Sequence, residues 1–126
     1  MMQTSNFWHF TGEPDDPRLV SIALWSPGWY KGRRRYPALA PRRNMLKMAE
    51  DAYRAEYQAI LDKLDPQKVF ADLGPDAILL CWEPPGKFCH RRLVAAWLEK
   101  KLGVQVPELP QGYHPNQKDL FLRRRQ

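Results

Sequence analysis

The chain has 126 residues, is 44% hydrophobic and 27% charged, and carries a net charge of +6. That length fits one domain of ordinary size, and the hydrophobic fraction argues against wholesale disorder. No apolar run approaches the roughly 20 residues that cross a bilayer, and Met1 to Phe10 lacks the basic-then-apolar order of a secretory leader, so a cytoplasmic protein without membrane contact is expected. Two cysteines are too few for a disulfide framework, and in the cytoplasm both thiols are expected to be reduced; a Cys81–Cys89 bridge is allowed by count but disfavoured by that compartment.

In chain order, residues 1–17 read as an irregular lead-in, with a short edge strand conceivable over Asn6 to Phe10 before Pro14 and Pro17. Arg18 to Trp25 is apolar on both alternating faces, the pattern of a strand covered on both sides. Residues 26–41 form a long loop rich in proline, glycine, aromatics and arginine, a length that usually marks function or mobility. Asn44 is the expected cap of a helix reaching Leu64, with Met45, Ala49, Tyr53, Tyr57, Ile60 and Leu64 on its apolar stripe. Asp65-Pro66 starts a short helix that Gly74-Pro75 ends. Ala77 to Trp82 is the expected central strand.

A second long helix follows over about Arg91 to Leu102, closed by Gly103, with a short third strand at Val104 to Val106. Residues 107–126 read as an extended basic tail interrupted by prolines. Strands alternating with helices predict a single compact α/β domain, with a mostly parallel sheet of about three to five strands flanked by helices. Parallel strands would bring the loops after Trp25 and after Cys81 to the same carboxyl edge of the sheet, where ligands bind in open α/β folds.

The segment from Cys81 to Arg92, CWEPPGKFCHRR, concentrates the groups able to do chemistry. No Ser, Thr, Asp or Asn lies between Glu83 and Arg92 to cap the helix, so its first N–H groups are expected to be available to an anion. Cys89, at that helix start, reads either as an activated nucleophile or as a small buried hydrophobe. Cys81 reads mainly as core. His90 and Glu83 are candidate proton-transfer groups, with a structural imidazole and a Glu83–Arg91 ion pair as the plainer alternatives. Arg91 and Lys87 are candidate anion ligands, and Arg92 a solvated flank.

Ser26 ends the first strand and is expected to face the same crevice. Trp29 and Tyr30, interleaved with Lys31 and Arg33 to Arg35, read either as a stacking and phosphate-binding surface or as a loop packed under Pro37 and Leu39. No phosphate-loop motif, nucleophile elbow or Cys-x5-Arg cradle occurs. No cofactor is called for. A zinc site at Cys81, Cys89 and His90 is not assigned, because adjacent residues of a helix rarely share a metal.

Cys81-x-Glu83 followed by Cys89-His90-Arg91-Arg92-Leu93 and a helix resembles the signature of the "domain of unknown function 488" family, and the early strand with Ser26-Pro27 resembles its first loop more loosely. The similarity spans about Arg18 to Val106; the Asp-x-Arg pattern of longer members is missing. The resemblance implies a compact α/β domain of bacterial or phage type and supplies no reaction. The expected function is a small enzyme or ligand-binding domain for a nucleotide-like or phosphorylated substrate at the Cys81–Arg92 site. The alternative is a nucleic-acid-binding module using the aromatic, basic loop and the arginine tail. Nothing in the sequence fixes the oligomeric state.

Overall fold

The computed structural model describes residues 1–8, 15–30, 33–83 and 88–109. Strand β3, Ile78–Cys81, is buried along its whole length and lies at the centre of a three-stranded sheet. It pairs in parallel with β1, Gln3–Asn6, and with β2, Leu19–Ser21, in the order β1-β3-β2. A run apolar at every position suits this place, because its two side-chain rows are buried against different partners. Leu79 joins Val20 in the cluster filled by the helices, whereas Ile78 and Leu80 join Leu19, Phe7, Tyr30 and Leu109.

Both sheet edges are extended by single bridges. Thr4 pairs with Glu108, and Ser21 with Arg35, each in parallel. Amides and carbonyls that an edge strand would expose therefore find partners: Leu109 N–H donates to Thr4 O, and Tyr36 N–H donates to Ser21 O.

Helix α1 spans Glu50–Asp62, α2 Pro66–Leu73 and α3 His90–Leu102. Their buried faces meet in one cluster that includes Tyr57, Leu61, Val69, Leu73, Val94 and Leu98. Asp65 caps α2 as expected, its carboxylate accepting the Gln67 N–H at 3.0 Å. Gly103 ends α3 at φ +69°, a left-handed conformation that favours glycine.

Four expectations are corrected. The edge strand is Gln3–Asn6, so the lead-in carries sheet, and Phe7 and Trp8 turn away from it, while His9 and Phe10 lie outside the described residues. Strand β2 is three residues long, although the Ile22 N–H continues its ladder to Leu80 O. Asn44 caps no long helix: Arg43–Met45 is a 3-10 turn that drives Met45 into the core, and α1 starts at Glu50, where Glu50 and Asp51 complement the helix N-terminus. Val104 to Val106 forms no strand; the Val106 N–H turns back to the Glu99 carboxylate, and pairing resumes at Glu108. The basic tail from residue 110 onward lies outside the described residues. Among the described residues, no helix is long and apolar enough to cross a membrane.

Leu79→Ala should cost about 2–5 kcal/mol, because it opens a cavity beneath three helices. Asp65→Ala should cost about 1 kcal/mol through loss of the cap. Urea unfolding of both variants checks this ranking, and equal losses would contradict the central place of β3.

Candidate functional site at the carboxyl edge of the sheet

Parallel pairing puts the carboxyl ends of β1, β2 and β3 on one edge. The chain leaving each strand meets the others there. Phe7, after β1, lies edge-on to Trp82, after β3, at 5.3 Å between ring centroids. Trp82 Nε1 donates to the carbonyl of Trp25, after β2, at 2.6 Å. Beside these rings is a cavity of about 230 Å³, whose lining includes Trp25, Tyr53, Cys81, Glu83, Cys89 and His90.

The helix start is built as its composition suggests. Cys89 is the N-cap residue of α3, in an extended conformation (φ −153°, ψ 145°), and no side chain caps the helix. Because its backbone is not helical, the Cys89 side chain does not follow the stripe of Leu93 and Trp97. It meets Cys81 instead, and the two cysteines are joined as a disulfide. Of the two states the sequence allows, reduced thiols or a Cys81–Cys89 bridge, the structure has the one the compartment argument disfavoured: the end of β3 and the start of α3 bring both sulfurs to the same wall of the cavity.

His90 begins α3 and is buried. Its Nε2 lies 2.7 Å from the carbonyl of Ile22, which can only accept, so Nε2 carries the hydrogen and Nδ1 presents a lone pair. Nδ1 faces Cys89 Sγ at 3.7 Å. Burial holds the imidazole pKa down at about 4, opposed by the hydrogen bond to Ile22 and assisted by the charge of Arg91. The ring is therefore neutral at pH 7.

Arg91 is 1% exposed, with every guanidinium nitrogen engaged inside the protein. Nε and Nη2 grip the Glu108 carboxylate, the shortest contact being 2.6 Å. Nη1 donates to Cys81 Sγ at 3.0 Å and to the Glu83 carbonyl at 2.8 Å. The carboxylate partner is thus Glu108, and Glu83 contributes its backbone. Glu83's side chain stays exposed at the cavity, where its charge adds to burial in raising the pKa of Tyr53. Arg92 is no solvated flank: Nη1 donates to Thr4 Oγ1 at 2.8 Å and Val106 O at 2.9 Å.

The remaining candidates fall elsewhere. Ser26 Oγ pairs with Ser21 Oγ at 2.8 Å, beside the cavity rather than in its wall. Tyr30 is a core residue, its hydroxyl donating to Arg34 O at 2.6 Å and its pKa pushed up to about 12 by burial. Trp29 packs edge-on against Phe7 and Tyr30. The arginines of this loop hold backbone carbonyls: Arg33 that of Trp29, Arg34 those of Asp72 and Leu73, Arg35 that of Leu24. Lys87 lies outside the described residues.

Sequence reasoning missed Glu108, Tyr53 and the exposed faces of Trp25 and Trp82. A tryptophan closing each of the two apolar runs, Trp25 four residues beyond β2 and Trp82 directly after β3, was the available signal for the last two. Glu108, beyond a proline and 17 residues from Arg91, left none.

His90 makes stability depend on pH with a defined sign. Its folded pKa lies below the ordinary 6.5, so the unfolded chain takes up the proton first as pH falls. Stability from this residue is complete above about pH 6.5 and declines toward pH 4, by a total on the order of 3 kcal/mol. Urea unfolding between pH 7.5 and 4.5 should show a shallower loss in His90→Gln than in the parent chain; parallel curves would contradict the assignment. Comparisons with family models, curated proteins and solved structures find no match to this chain.

Proposed function

We propose that the domain is a small enzyme or ligand-binding domain that takes a nucleotide-like or otherwise phosphorylated small molecule into the carboxyl-edge cavity. The convergence of Cys81, Glu83, Cys89 and His90 on this one cavity carries the reading. A nucleophile, a neutral imidazole and an exposed carboxylate within one concave site are the usual parts of a small-molecule active site. Cys89, once reduced, is the nucleophile or polar anchor, with the lone pair of His90 Nδ1 beside it to accept its proton and Glu83 at the rim as the second proton-transfer group.

The ligand class rests on the walls. Trp25 and Trp82 are 53% and 41% exposed, leaving aromatic faces on which a planar base can stack. Arg43 lies over the Trp25 ring at 5.6 Å and supplies a cation near the cavity for a phosphate. Arg91 is internally paired, so the anion contact moves from the helix start to this rim. The nucleic-acid alternative has less support, because Tyr30 is buried and Arg33 to Arg35 hold carbonyls of their own chain.

A thermal-shift screen of nucleotides, nucleosides and sugar phosphates under reducing conditions tests the reading. A ligand at about 100 times its Kd adds about 2.7 kcal/mol to stability, and so raises Tm by several degrees. Trp25→Ala and Arg43→Ala should each weaken the shift while leaving the unliganded Tm nearly unchanged. A hit indifferent to both variants, or no hit across the screen, would contradict the proposal.

A further inference from the structure

We propose that in the reduced protein Cys81, Cys89 and His90 bind a zinc-class divalent cation as a site of two thiolates and one imidazole. Their ligand atoms all lie within 4.8 Å of one another, and all three residues are buried. Bonds of about 2.3 Å to sulfur and 2.0–2.1 Å to nitrogen place tetrahedral ligands at the kind of spacing that separates Cys89 Sγ from His90 Nδ1, 3.7 Å, while the two sulfurs, bonded to one another in the disulfide, must part on reduction to reach it. The inference shares the cavity of the proposed ligand and rests on that reading for location alone: with the ion bound, Cys89 and His90 Nδ1 are its ligands rather than nucleophile and proton acceptor.

Adjacent helical residues diverge, and that argued against a shared ion. Here the residues are not both helical. Cys89 is extended at the N-cap position, and this turns its sulfur to within 3.7 Å of His90 Nδ1. The 7.5 Å between the Cα atoms of Cys81 and Cys89 is wide for a disulfide, usually about 4.4–6.8 Å, and suits sulfurs that part to hold an ion between them.

The surrounding hydrogen bonds are those a metal site needs. A ligating histidine ordinarily donates its other ring N–H to a carboxylate or carbonyl, which fixes the tautomer and the ring. His90 Nε2 does this with Ile22 O at 2.7 Å and leaves Nδ1 for the ion. Arg91 Nη1 reaches Cys81 Sγ at 3.0 Å and is itself held by Glu108, which sets positive charge against a thiolate. Thiolate and imidazole ligands together select zinc over magnesium or calcium. Three protein ligands leave the ion's fourth bond for water or a substrate oxygen, the composition of a catalytic rather than a structural zinc site.

The disulfide and the metal site exclude one another. A dithiol reductant passes two electrons and two protons to the Cys81–Cys89 bond, giving two thiols and the cyclic disulfide of the reductant. The cation then replaces both thiol protons, which leave to solvent. Oxidation of the pair would therefore eject the ion.

Cobalt(II) is the probe, added to phosphine-reduced, desalted protein under anaerobic conditions. The expected result is saturation at one equivalent, an intense near-ultraviolet thiolate-to-cobalt band, release of about two protons per ion, and loss of the band on adding zinc. Cys81→Ser, Cys89→Ser and His90→Gln should each bind at least tenfold more weakly, with circular dichroism confirming their fold, and diamide-oxidised parent protein should show no band. Absence of the band in the folded, reduced parent protein, or a band unchanged in folded His90→Gln, would overturn the site. The ligand screen repeated with chelator separates the two readings: a Tm shift without cobalt binding overturns only the metal site, and cobalt binding without any Tm shift overturns only the nucleotide-like ligand.

Discussion

The structure turns on one buried charge. Arg91 sits at the start of α3 with almost no solvent contact, and an unpaired guanidinium there would cost several kcal/mol. Glu108 balances the charge, and hydrogen bonds to Cys81 Sγ and Glu83 O occupy the remaining nitrogen. These partners come from two distant parts of the chain, the end of β3 and the segment at Glu108. Glu108 also accepts from Thr4 Oγ1, which in turn accepts from Arg92. The pair therefore ties the first turn of α3 to both β1 and β3 and to the segment that bridges the sheet edge at Glu108.

That arrangement sets the character of the neighbouring cavity. With Arg91 balanced internally, the wall is made of sulfur, neutral imidazole, aromatic rings and exposed carboxylate. Ile22 contributes in a similar way, donating its N–H to Leu80 and accepting from His90, so the imidazole is held against the sheet itself. A ring fixed by a backbone carbonyl has little rotational freedom, which lowers the cost of presenting its lone pair to a thiol or an ion.

Much of this was readable wherever a residue's local chemistry and its tertiary role agree. The run Ile78 to Cys81 is apolar at successive positions and fits only a strand covered on both sides. Asp65-Pro66 and Gly103 act within a turn of themselves, so their roles survive folding unchanged. Crowding of Cys, His, Glu and Arg after the central strand located the cavity. Local reading failed where a distant partner decides the outcome. Gln3 to Asn6 has no apolar alternation, yet it is mostly buried because its amides and carbonyls pair with β3. Arg33 to Arg35 look like an open cationic surface until their carbonyl partners are known. The joining of Cys81 to Cys89 depends on an N-cap residue leaving the helical direction, which no residue-type pattern announces.

A double-mutant cycle with Arg91→Met and Glu108→Gln tests the central claim that this buried pair organises the helix start and the cavity beside it. Urea unfolding of the four proteins should show each single change costing about 3–5 kcal/mol, since each leaves a charge without its partner. The double variant should lose clearly less than the sum, with a coupling of about 1–3 kcal/mol. Losses that add to within about 0.5 kcal/mol, or single variants as stable as the parent chain, would contradict the account.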